Sequence, residues 1–200
     1  MDERAYWIGF NLVKGIGAVR FQSLLDHFGD AESAWNSSTV ELSQTGLSEK
    51  ILERFIELKS TLDLEKYWDS IQKQGIRVLT WKDSEYPSHL KEIEQPPPVL
   101  YIRGEITGED NWAVAIVGTR QVTAYGRQQV TEELTSALVH TGVTVISGLA
   151  RGIDAVAHNA SLKAGGRTLA VLGSGVDRIY PPEHLHVPCW KRRMSSKLWI

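Results

Sequence analysis

The stretch WAVAIVGTRQVTAYGRQQVTEELTSALVHTGVTVISGLARGIDAVAHNASLKAGGRTLAVLGSG, residues 112–175, decides the fold. Trp112–Val117 is a continuous apolar run closed by Gly118, the pattern of a strand buried on both faces. Residues 124–141 follow with Val130, Leu134, Ala137 and Leu138 on one helical face, and Gly142 stands where a C-cap belongs. Val143–Ile146 reads as a second buried strand, running into Ser147-Gly148. Ile153–Ala164 reads as a helix with Ile153, Val156, Ala157 and Ala160 inward, stopped by Gly165-Gly166. Thr168–Leu172 is a third strand that again ends in glycine, at Gly173. This alternation predicts right-handed crossovers: an α/β, Rossmann-like parallel sheet with helices on both faces.

In such a sheet the carboxyl ends of the strands line one edge, where ligands bind beside helix N-termini. Gly118, Gly148 and Gly173 all fall there. Glycine lets the backbone approach an anion and turn its N–H groups outward, although tight turns alone also call for glycine. The first loop carries Thr119, Arg120 and Thr123; the second runs Ser147-Gly148-Leu149-Ala150-Arg151-Gly152. Two guanidinium groups, hydroxyls and helix dipoles make a phosphate cradle. The first loop has no GxGxxG, no acid ends the second strand and no GxxxxGK[ST] occurs, which argues against a nicotinamide dinucleotide and P-loop ATP hydrolysis.

A catalytic arrangement is poorly supported. Asp154 and His158 lie four apart and read best as fixing a helix end, and neither Ser147 nor Ser174 sits in a GxSxG elbow. His184 and His186 lack a third metal ligand at a recognisable spacing. No cofactor is expected.

Outside this core, which is bounded at residues 112–182, residues 1–72 read as a small bundle of short helices, with Leu24, Leu25 and Phe28, then Ile51, Leu52, Phe55 and Ile56, at helical spacing. Residues 73–111 form a connector with a short strand at Ile76–Leu79 and the rigid run Pro96-Pro97-Pro98. The 22 basic and 24 acidic side chains sum to −2, but residues 1–111 carry −7 against +2 in 112–176 and +3 in 177–200. One cysteine, Cys189, excludes an internal disulfide, and no apolar run is long enough for a membrane helix. A soluble, cytoplasmic protein is expected.

VAIVGTRQVTAYGR (114–127), VISGLARGIDAVAH (145–158), GRTLAVLGSGVDRIYPP (166–182) and YPSHLKEIEQPPPVLYIRG (86–104) together resemble the DprA/Smf family of DNA-processing proteins. The resemblance implies a nonenzymatic protein of natural transformation that protects incoming single-stranded DNA and loads the RecA recombinase onto it. It places Arg120 and Arg151 on the family's DNA pocket, with Thr123 keeping the hydroxyl of the family's serine. Gly15-Ile16-Gly17 resembles the hairpin of a helix-hairpin-helix or SAM-like domain, where the acidic surroundings favour a packing or partner role over DNA contact.

Residues 183–200 change composition abruptly and show neither strand alternation nor a helical apolar face. They read as a truncation or shifted frame relative to the family, which leaves the third strand's edge open and makes the family's homodimer doubtful here. The alternative function is a phosphoribohydrolase-like enzyme on the same sheet, but its PGGxGT loop is missing.

Overall fold

The computed structural model describes residues 1–182 and 197–199. The chain divides into two compact units, Met1–Leu100 and Tyr101–Ile200.

The first unit opens with helices α1 (Glu3–Leu12), α2 (Ala18–Phe28), α3 (Ala31–Asn36), α4 (Thr39–Ser43), α5 (Glu49–Thr61) and α6 (Leu64–Lys73). Their starts follow from the sequence: Asp2, Asp30 and Asp63 each accept a hydrogen bond from a first-turn amide, and Ser38 with Glu41 forms a capping box. Each such cap stabilises a helix end by about 1 kcal/mol. Helices this short need tertiary support, and aromatic rings supply it. Phe10 stacks on Phe55 at 5.4 Å, Trp35 meets Phe10 edge-on at 5.3 Å, and Trp7 lies 4.7 Å from Phe21. Gly9 is where Trp35 crosses α1, since a Cβ there would lie 2.5 Å from its ring.

Strand β1 (Arg77–Thr80) follows, then the turn α7 (Ser88–Lys91) and β2 (Val99–Ile102), which pairs with β1. Tyr86 donates its hydroxyl to the Pro97 carbonyl at 2.8 Å, and burial pushes its phenol up to about 12. This bond pins the proline run that makes the segment stiff.

The second unit contains β3 (Ala113–Ala115), a π-helical segment (Gly126–Glu132) continuing into α8 (Glu133–His140), β4 (Thr144–Ser147), α9 (Ile153–Lys163) and β5 (Thr168–Ala170). With β6 (Lys197–Trp199) they form a sheet of order β3-β4-β5-β6. Every pair is parallel, with Val114 opposite Val145, Val145 opposite Thr168 and Thr168 opposite Lys197. Val139, Val145 and Ala157 form the core between helices and sheet, with Ile116 and Ala164 packed against it. At the amino ends of the strands Arg167 makes a bidentate pair with Asp110, at 2.5 and 2.7 Å.

The parallel α/β core agrees with the sequence expectation, and three details differ. The first strand is shorter than 112–117 and is not buried on both faces: Trp112 is 69% exposed and Val117 72%. β3 pairs with β4 alone among the described residues, so its outer side is uncovered. The helix after it turns Thr131, Thr135 and Val139 inward, leaving Val130 and Leu134 exposed. A π-helical turn holds more residues than an α-turn, so Gly126–Glu132 rotates the buried face away from the 3.6-residue expectation. The third strand's edge is not open either, because β6 pairs with it in parallel. An unpaired strand edge accepts any extended backbone, whatever its side-chain pattern. The rest of the tail reading, including Cys189, His184 and His186, lies outside the described residues. Among the described residues no helix is long and apolar enough to cross a membrane.

Candidate functional site

Because β3, β4 and β5 are parallel, the loops that leave them share one edge of the sheet. A cavity of about 280 Å³ opens there. Arg120 enters from the first loop and Gly148, Ala150 and Arg151 from the second, while Leu172, Gly173, Ser174 and Tyr180 come from the segment after β5.

Steric contacts hold the first two loops together. Ile153 donates its N–H to the Thr119 carbonyl at 3.1 Å. Gly152, at φ +82°, touches the same strand of backbone: a Cβ there would meet the Thr119 carbonyl and Arg120, the latter at 2.7 Å. Gly118 serves packing as well, since a Cβ on it would lie 2.7 Å from Ile153. Of the three strand-end glycines, only Gly173 has no described residue within 4 Å of where a Cβ would stand.

The second loop is shaped from below. The buried carboxylate of Asp154 accepts hydrogen bonds from the N–H groups of Gly148 at 3.2 Å and Ala150 at 3.3 Å. Between them Leu149 is fully buried with φ 59°, a left-handed conformation that costs a non-glycine residue about 1–2 kcal/mol. These two N–H groups therefore face Asp154 and not the cavity, contrary to a cradle of outward-turned amides. The hydroxyls are likewise engaged inside the protein: Ser147 donates to the Ile116 carbonyl at 2.6 Å, while Thr119 and Thr123 accept from the amides of Gln121 and Gly126, each at 3.1 Å. The positive charge at this edge therefore comes from the two guanidinium groups, with α9 beginning beside them at Ile153. Arg120 and Arg151 are both exposed, and no carboxylate among the described residues pairs with Arg120.

The residues weighed for catalysis have structural partners. His158 is buried, with Nδ1 2.7 Å from the Thr168 hydroxyl. Thr168 gives its own proton to the Val145 carbonyl, so His158 is the donor in that contact. Ser174 donates to the Arg178 carbonyl and closes its own turn. In the hairpin of the first unit, Arg20 and Arg54 donate to the carbonyls of Gly15 and Lys14, at 2.8 and 2.9 Å. Both cations there hold the turn together.

The family model described as DNA recombination-mediator protein A matches residues 77–196. The chain belongs to the DprA family. It is 40% identical over 188 residues to protein Smf of Synechocystis, covering 92% of this chain and 47% of that one. It is 43% identical over 117 residues to DNA processing protein DprA of Bacillus subtilis, covering 58% of this chain and 39% of that one. The X-ray structure of DprA from Streptococcus pneumoniae superposes with a TM-score of 0.74 at 25% identity, over 98% of this chain and 66% of that one. The chain spans about half the length of the curated relatives it matches. The relatives named here are DprA and Smf proteins, not phosphoribohydrolases. Of the residues expected at the site, Arg120, Gly148, Ala150 and Arg151 line the cavity; Gly118, Thr119, Thr123, Ser147, Leu149 and Gly152 build the loops around it. Leu172 and Tyr180 lie beyond the loops from which the site was read; the signal was the YPP segment after the third strand.

Proposed function

We propose that this DprA-family chain binds single-stranded DNA at the carboxyl edge of β3–β5, with Arg120 and Arg151 on consecutive backbone phosphates. The observation that carries this reading is the convergence of two exposed arginines, from successive loops, on one cavity. The family's description as a recombination mediator and the DNA-processing names of its relatives support a polynucleotide as the anion. Phosphate contacts position a strand without reading its bases, so sequence preference is slight. The role is nonenzymatic and cytoplasmic, and Gly118, Thr119, Thr123, Ser147, Leu149 and Gly152 act by holding the two arginines in place. RecA recombinase, from the family resemblance, is the protein partner to which the strand passes.

Fluorescence anisotropy with labelled oligo-dT and a duplex of equal length tests this. Tighter binding of the single strand is expected; no binding, or preference for the duplex, contradicts it. Incubation with AMP separates the alternative, since release of adenine marks a phosphoribohydrolase and none is expected. Sizing with and without oligo-dT reports self-association.

A further inference from the structure

We infer that Tyr180 is a stacking platform for a base of the bound strand, so that the cavity holds one nucleotide at both ends. This rests on the single-stranded DNA reading above. Tyr180 lines the same cavity as Arg120 and Arg151 and is 62% exposed. The large exposed rings among the described residues are Trp112, Tyr125 and Tyr180, and of these Tyr180 alone lines the cavity. Its backbone is anchored, because the next residue, Pro181, is buried and Val176 nearby is 4% exposed. A ring on an anchored backbone and open on its face offers a stacking surface, and a tyrosine has only two side-chain torsions to fix on binding. The cavity has room for a planar partner: no described residue lies within 4 Å of where a Gly173 side chain would begin, and Leu172 adds an apolar lining residue.

Phosphate on the guanidinium groups and base on the phenol ring require the base to be unpaired. The ring thus supplies a reason for single-strand selectivity that the arginines lack, since duplex phosphates would satisfy them equally. Stacking is tolerant of base identity, as every base has a π-face.

The test compares two probes of equal length, oligo-dT and an abasic deoxyribose-phosphate chain, on wild type, Tyr180→Leu and Tyr180→Phe. Wild type binds oligo-dT at least about fivefold more tightly than the abasic chain, the lower end of one base–aromatic stack. Tyr180→Leu loses that advantage and keeps its affinity for the abasic chain; Tyr180→Phe retains it. Unchanged oligo-dT binding by Tyr180→Leu overturns the inference. So does an equal loss on both probes, which marks a purely structural tyrosine. Failure of wild type to bind either probe is a different result and overturns the DNA reading itself.

Discussion

Ile153 donates its backbone N–H to the carbonyl oxygen of Thr119 at 3.1 Å, tying the first residue of α9 to the loop that carries Arg120. Gly152 lies at the closest approach, where a side chain has no room and φ is +82°. Gly152→Ala must therefore separate the loops that place Arg120 and Arg151, besides paying about 1–2 kcal/mol for the left-handed conformation. A lower melting temperature and a tenfold or greater loss of oligo-dT affinity are expected. Wild-type values for both would show that the loop contact does not position the site.

Asp154 should matter through the loop it shapes. Asp154→Ala leaves the Gly148 and Ala150 amides without their acceptor, a cost of about 1–3 kcal/mol for buried groups, and removes what holds Leu149 left-handed. Hydrogen exchange reports it directly: the Gly148 and Ala150 amides lose protection in the variant, and Asp154→Asn, which keeps an acceptor oxygen, loses less.

Acid sensitivity is expected in the first unit. Burial pushes the Asp83 carboxyl up, but the hydrogen bonds from Arg4 and Thr80 outweigh it and hold the group below the usual carboxylate value. A carboxylate with a lowered folded pKa stabilises the protein above its unfolded value, about 3.9, and that contribution is lost as pH falls through the folded one. Asp83→Asn accordingly lowers the melting temperature at neutral pH and flattens the decline below about pH 4. An equally steep decline in the variant would exclude Asp83 as its source.

The ion pair at the other end of the strands serves as a control. Arg167 and Asp110 side chains are only 13% and 7% exposed, so Arg167→Met strands a buried carboxylate and costs about 3 kcal/mol or more in chemical denaturation. Arg167 precedes β5, whereas the cavity lies past its carboxyl end. Its loss should leave the salt dependence of DNA binding unchanged although a positive charge is removed.

The strand–helix alternation over 112–175 was legible because its strands are apolar runs and the helices between them stop at the positive-φ glycines Gly142 and Gly165. What period alone could not show was burial within each element. Val117 looks like core and lies exposed past the end of β3, and Thr135 looks like surface and is fully buried in the helix that follows the π-helical segment. At the site the two arginines were legible from their positions after strand ends. The inward turn of the Gly148 and Ala150 amides was not, because it depends on a carboxylate that reads from sequence as half of an Asp/His pair. Tyr180 is not legible as a site residue because it reaches the cavity from a loop with no regular structure.

The central claim, that Arg120 and Arg151 bind the phosphates of a single strand, is tested most directly by the salt dependence of oligo-dT affinity in wild type and in the Arg120→Ala, Arg151→Ala double variant. Each phosphate contact contributes about 0.7 to the slope of log affinity against log salt. The double variant should bind more weakly and with a slope shallower by roughly twice that amount. Equal affinity and an equal slope in the two proteins would contradict the account.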